Sequence, residues 1–262
     1  MKLKCSGDLM DNNARKRFYR LVFIALIIVS WELTARLGIF DQNLFPSMTS
    51  VIRRLIELIT KESLLIKTAY SISLVLLSMI ASLVVSTVLI ILGRKFVWMG
   101  TNIELVNSVT SPLPGIAILP LVILWLGVRQ EAMFFIMIHA TLWPMWRQLS
   151  LGVDRLHNRY KRFEKAFGMS PLRRFYHIYC LGITDDLLAA MSVSWSRGWR
   201  ALISVEMIFG IVGAQTGLGW MIYERRMYMD TEGLFAGLIM IAFCGVLFES
   251  LIFKKRSLRR TT

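Results

Sequence analysis

Arg197, Arg200 and Glu206 interrupt the long apolar run from Leu187 to Val212. An arginine or aspartate at mid-membrane costs about 2.5–3.5 kcal/mol on insertion scales, so groups of this kind face a polar cavity or a partner. Met191, Trp195, Trp199, Leu202 and Glu206 follow one helical stripe, and Ala190, Ser194, Gly198 and Ala201 follow the stripe beside it. Small residues let a neighbouring helix approach closely in lipid. The pattern has two readings. In one, Trp195, Trp199, Arg200 and Glu206 line a route for a polar solute. In the other, the arginines sit near a helix end and reach for water, while Glu206 bonds a neighbouring helix. An Arg200–Glu206 pair is disfavoured, since six residues place the two on different faces.

Other reactive side chains do not assemble into a catalytic set. His139, His157 and His177 lack H-E-x-x-H spacing, and no serine lies in a G-x-S-x-G elbow. No G-x-x-x-x-G-K-[ST] run is present, so nothing in the chain reads as a phosphate-cradling loop. Cys5, Cys180 and Cys244 are far apart and read as reduced or lipid-buried thiols. The expectation is a chain that is not an enzyme and binds no cofactor.

The elements that must position these residues are apolar and helical. Of the 262 residues 55% are hydrophobic and 18% charged, with a formal net charge of +14; mean hydropathy is +0.56. Soluble chains average about 25% charged residues. Here the basic residues flank apolar blocks, as membrane helices require, and no nucleic-acid-binding module accompanies them. Six stretches approach the ~20 residues needed to cross a bilayer: about Phe18–Leu37, Thr68–Gly93, Ile103–Leu126, Ala132–Leu151, Leu187–Val212 and Gly233–Phe253. The first reads as a retained helix, because no small-residue cleavage site follows it. The third carries Pro112, Pro114 and Pro120, which free carbonyls and kink a helix; a gate and a merely bent packing helix both fit. Pro46–Lys67 is amphipathic, like a helix lying on a membrane surface.

The division expected is 1–67 for the tail, first span and surface helix, 68–253 for a transmembrane core, and 254–262 for a basic tail. With both termini in the cytoplasm, 21 Lys and Arg residues fall on the inner side and seven on the outer side. That asymmetry obeys the positive-inside rule.

The inner segment 152–181 has internal order. Leu156, Tyr160, Phe163 and Phe167 form an apolar stripe, Gly168 supplies a stop, and Ser170-Pro171 a restart. A second stripe of Leu172, Phe175, Tyr176 and Tyr179 follows, with Arg173 and Arg174 turned to water. Such a hairpin either docks on a partner or packs on its own spans.

The run Glu164–Phe175 resembles the EAA loop of bacterial ABC importer permeases, nearest the nitrate, taurine and aliphatic-sulfonate type. Phe45-Pro46-Ser47, Ser111–Pro114, Leu124–Gly127, Val205-Glu206-Met207 and Gly217-Leu218-Gly219 carry the same resemblance. The chain departs from the family pattern at Leu74, Arg162, Glu164 and Cys180-Leu181. The resemblance implies an all-α, multi-pass inner-membrane protein with the type I, MetI-like permease architecture. It implies that Phe163, Glu164, Ala166, Phe167, Gly168, Ser170, Pro171 and Arg173 form a coupling loop gripped by ABC ATPase subunits, which hold ATP and Mg. It further implies a second permease chain, with a homodimer favoured over a heterodimer, and a periplasmic or lipid-anchored solute-binding protein. The basic residues lean toward a small anion such as a sulfonate or nitrate; bicarbonate and small heterocycles remain open. The alternative is an ion-coupled secondary transporter, which should show inverted repeats and acidic residues in broken helices. No repeat is visible, and Glu206 stands nearly alone.

Overall fold

A computed structural model describes residues 4–41, 43–167, 182–210 and 216–259, with the side chains of 4–14, 161–167 and 252–259 outside the description. Among the described residues there are nine helices and no strand: α1 (Lys4–Arg36), α2 (Met48–Lys61), α3 (Leu64–Lys95), α4 (Val97–Thr110), α5 (Gly115–Leu126), α6 (Gln130–Phe167), α7 (Thr184–Phe209), α8 (Leu218–Met227) and α9 (Thr231–Arg259).

By length and apolar content Arg15–Arg36, Leu64–Lys95 and Thr231–Leu251 can each cross a membrane. Helices α4 and α5 make a fourth span if the bent pair counts as one. The six expected spans are therefore not all reached by this criterion. Helices α6 and α7 stand where spans four and five were expected, but His139, Arg147, Arg197 and Arg200 lower their apolar content.

The third expected span is two helices rather than one kinked helix. Helices α4 and α5 meet at 103°. The break falls on Ser111–Pro114, where two prolines lack the N–H groups a continuous ladder needs. Pro120, inside α5, leaves that helix unbroken. Gly127 ends it at φ +74°, a conformation that favours glycine.

The core lies where α3, α6, α7, α8 and α9 converge, around Val75, Ile136, Met137, Trp195, Leu202, Leu218 and Met221. Helix α3 turns Ser71, Ser78, Ser82 and Ser86 inward. Ser82 Oγ lies 2.7 Å from Thr141 Oγ1, and Ser194 Oγ donates to the Thr141 carbonyl at 3.1 Å, so hydroxyls join α3, α6 and α7 where water is absent. The small stripe of α7 faces α6: a Cβ on Gly198 would stand 2.6 Å from Thr141 Cγ2.

Helix α6 joins the fourth expected span, Ala132–Leu151, to the stripe helix expected after it. It runs 38 residues to Phe167, about 57 Å at 1.5 Å per residue, well beyond a hydrocarbon core of about 30 Å. Leu156 is buried and touches the position of Gly182, so this part of the stripe packs on its own chain. Arg94 pairs with Asp154 at 2.7 Å, and Arg155 pairs with the buried Asp186.

Candidate functional site

The break between α4 and α5 opens a trough against α6 and α7. Two adjoining cavities, of about 410 Å³ and 540 Å³, share Ser111, Pro112, Trp143 and Arg197. The first is also walled by Gly115, Ile116, His139, Arg200 and Ser204. The second reaches Glu104, Asn107, Arg147 and Gln148. Three arginines thus meet one carboxylate, and among the described residues no carboxylate pairs with any of the three. Arg200 is braced from its own helix: Nε donates to the Ser196 carbonyl at 2.9 Å and Nη2 to Ser196 Oγ at 3.2 Å. His139 Nδ1 and Asn107 Oδ1 are buried without a partner. A site of this size, part apolar and lined by a few convergent polar groups, suits a small solute.

Of the four residues expected along a solute route, Arg200 alone reaches this trough. Trp195 and Trp199 are buried, stacked at 5.3 Å, with Phe248 stacked on Trp195 at 4.4 Å. Their N–H groups donate to the Gly245 and Ile241 carbonyls at 3.3 and 3.2 Å, which fastens α7 to α9. Glu206 is 2% exposed. Its carboxylate accepts from Ser71 Oγ at 2.8 and 3.0 Å and from the Gly219 N–H at 2.8 Å, while Ser71 Oγ accepts from the Leu218 N–H at 2.9 Å. Glu206 therefore sits at the N-terminal end of α8, where first-turn N–H groups lack intrahelical partners and favour negative charge. A Cβ at Gly217 would stand 1.9 Å from Glu206 Oε1, and one at Gly219 would stand 2.4 Å from the Ile203 carbonyl and 2.7 Å from Glu206 Cβ, so both positions favour glycine.

Residues 86–253, well over half of the chain, match the model of the binding-protein-dependent transport system inner membrane component. The chain belongs to this permease family. It is 22% identical over 232 residues to the taurine transport system permease protein TauC of Escherichia coli K12, covering 86% of this chain and 82% of TauC. It is 27% identical over 248 residues to the formylaminopyrimidine transport permease protein ThiX of Halalkalibacterium halodurans, covering 88% and 92%. Against SsuC of Escherichia coli K12, provisionally named an aliphatic sulfonates transport permease protein, identity is 25% over 147 residues, 56% of this chain and about half (53%) of SsuC. The match includes the whole trough and Glu206, and it makes the chain a multi-pass transport permease of the ABC importer type.

In this permease the segment read as a coupling loop begins on α6. Phe163, Glu164, Ala166 and Phe167 belong to that helix, with side chains outside the described residues; Gly168, Ser170, Pro171 and Arg173 lie wholly outside them. At the far end of the molecule, the permease ties α2 to α8 by charge. Arg54 Nη2 lies 2.8 Å from Asp230 Oδ2 and 2.9 Å from Glu62 Oε1; Arg225 Nη1 lies 3.2 Å from Asp230 Oδ2, and Arg225 also pairs with Glu62. Burial raises the Asp230 carboxyl, but bonds from Arg54 and the Gly233 N–H, with the Arg54 and Arg225 charges, hold it below its ordinary value.

Sequence reasoning named Arg197 and the prolines but missed that the break would gather Arg147, Arg197, Arg200, His139 and Asn107 around one trough. The run Ser111–Pro114 was the available signal: two prolines two residues apart beside a serine mark a helix end rather than a bend.

Proposed function

We propose that this permease is the membrane subunit of an ATP-driven importer and carries a small oxyanion along the trough at the α4–α5 break. The carrying observation is the set of exposed arginines, Arg147, Arg197 and Arg200, that line the trough and, among the described residues, pair with no carboxylate. Charges so placed require a polar path or an anionic guest. Two relatives named for taurine or aliphatic sulfonates support a sulfonate as that guest.

In this reading ATP and Mg are bound by separate ATPase subunits. They grip Phe163, Glu164, Ala166, Phe167, Gly168, Ser170, Pro171 and Arg173 on the cytoplasmic side, where both termini also lie. Helix α6 carries the motion, because one unbroken rod joins Trp143 and Arg147 in the trough to Phe167 at the grip. A rigid-body shift of this kind needs no chemistry from the permease. A second copy faces the first across the path, in a homodimer set in lipid, and a solute-binding protein delivers the anion from outside.

Reconstitution with the companion ATPase and binding protein tests this. ATP-dependent uptake of a sulfonate is expected, with R200A cutting uptake at least tenfold while ATP hydrolysis persists. Substituting Phe167 or Gly168 should separate hydrolysis from uptake. Uptake driven by a proton or sodium gradient without ATP would favour the secondary-transporter alternative instead.

A further inference from the structure

We propose that Asp186 is a positioning residue for the import cycle: clasped by Arg155, it locks the first turn of α7 to Gly152 of α6, so that the two helices move as one body. This deepens the importer reading and rests on it. In that reading the ATPase grips the end of α6, while Arg197 and Arg200 of the trough ride on α7. A push at Phe167 travels along α6 to Arg147; it carries Arg197 and Arg200 with it only where α7 is fastened to that helix.

Asp185 and Asp186 both lie in the first turn of α7. A carboxylate there suits the helix dipole and can do so from water, as the exposed Asp185 does. Asp186 is instead 5% exposed, an unfavourable place for a charge without a partner. One face of α6 receives it. Gly152 makes room: a Cβ there would stand 2.6 Å from Asp186 Cγ and Oδ2. Arg155, three residues on, donates from Nη2 to Asp186 Oδ1, reaching in from a largely exposed position. Leu156, on the same face, is buried against Gly182, where a Cβ would stand 2.9 Å from Leu156 Cδ2.

The place of this clasp makes it a joint. A second fastening joins the same two helices where Ser194 Oγ donates to the Thr141 carbonyl at 3.1 Å. Thr141 precedes Gly152 on α6 and Ser194 follows Asp186 on α7, so the helices run antiparallel between the two fastenings, with Arg147 on the stretch between them. Two points hold a rod, whereas one leaves a pivot. The Asp186 point is the one nearer the end of α6, where the push enters. Arg94 of α3 also pairs with α6, through Asp154, but neither partner is buried; an open pair of this kind adds little.

The test replaces the clasp by a bond that can be opened. With Cys5, Cys180 and Cys244 replaced, G152C and D186C are combined. A Cβ at 152 stands 2.8 Å from Asp186 Cβ, and parting by about 1 Å reaches the ~3.8 Å spacing of a disulfide. The full transporter, with its ATPase and binding protein, is reconstituted, and the same vesicles are assayed oxidised and reduced. Two quantities are read: taurine uptake per ATP hydrolysed, and the stimulation of hydrolysis by the binding protein, which decides alone where the parent carries no taurine. The oxidised form should match the cysteine-free parent, and reduction should lower coupling about fivefold or more, reversibly. D186C alone should be low in both conditions, R155A should lose coupling, and R94A should match the parent. A merely weakened fold would lower hydrolysis and uptake together and would not recover on oxidation. The proposal is overturned if the two redox states couple alike, or if oxidation blocks transport that the reduced form performs. It is also overturned if the disulfide does not form, or if R94A loses as much coupling as R155A. A cysteine-free parent with neither ATP-dependent uptake nor stimulation removes the importer reading itself; with that parent active, each failure strikes the joint alone.

Discussion

Glu206 shows how one buried carboxylate can dictate its neighbours. It accepts from Ser71 and Gly219, and the carboxylate leaves no room for a Cβ at position 217. Replacing Glu206 by alanine strands two buried donors, each costing about 1–3 kcal/mol; E206A should melt well below wild type and E206Q between them. G217A should fail for the opposite reason, a clash at 1.9 Å. A G217A melting curve equal to wild type would contradict this placement of the carboxylate. Asp230 gives a pH test. Because its folded-state carboxyl lies below the ordinary value, its stabilisation is complete above about pH 4 and is lost as pH falls through the depressed value. Thermal melts from pH 7 to pH 3 should therefore fall more steeply for wild type than for D230N. Parallel profiles would mean that the Arg54–Asp230–Arg225 cluster contributes nothing.

Among the elements, the seam between α6 and α7 and the break between α4 and α5 set the geometry. Gly198 lets α7 approach Thr141 of α6. G198V should force the pair apart and cost about 1–3 kcal/mol, read as a lower melting temperature; an unchanged melt would place the seam elsewhere. Much of this was legible in the sequence. The small stripe gave the close approach, and Pro112 and Pro114 gave the interruption. Three features were not legible. Periodicity defines the face carrying Trp195, Trp199 and Glu206 but not what covers it, and α9 and α8 cover it rather than a solute route. Prolines mark a break but not its 103° angle, which depends on packing against α6 and α7. In the sequence the fourth span and the stripe helix after it read as separate elements, but the charged run from Asp154 to Arg162 joins them without glycine or proline. Polarity there marks the departure from lipid rather than a change of backbone.

The molecule exposes much apolar surface, including Val97, Trp98, Leu105, Val106 and Val109 of α4 and Leu121, Leu124 and Trp125 of α5. Lipid, and in the proposed importer a second copy, would cover such a surface. Among the described residues three helices, or four spans if the bent α4–α5 pair counts as one, are long and apolar enough to cross a membrane, because α6 and α7 devote part of their length to the trough and to polar seams. That trade between apolar content and a polar path is what a transport subunit requires. The most direct test is thiol access. With Cys5, Cys180 and Cys244 replaced, Ser204→Cys is placed in the trough wall and treated with an anionic, membrane-impermeant methanethiosulfonate in the reconstituted transporter. The account predicts labelling from the cytoplasmic side without nucleotide and from the outer side when ATP is trapped. Labelling from the same side in both states, or from neither, would contradict it.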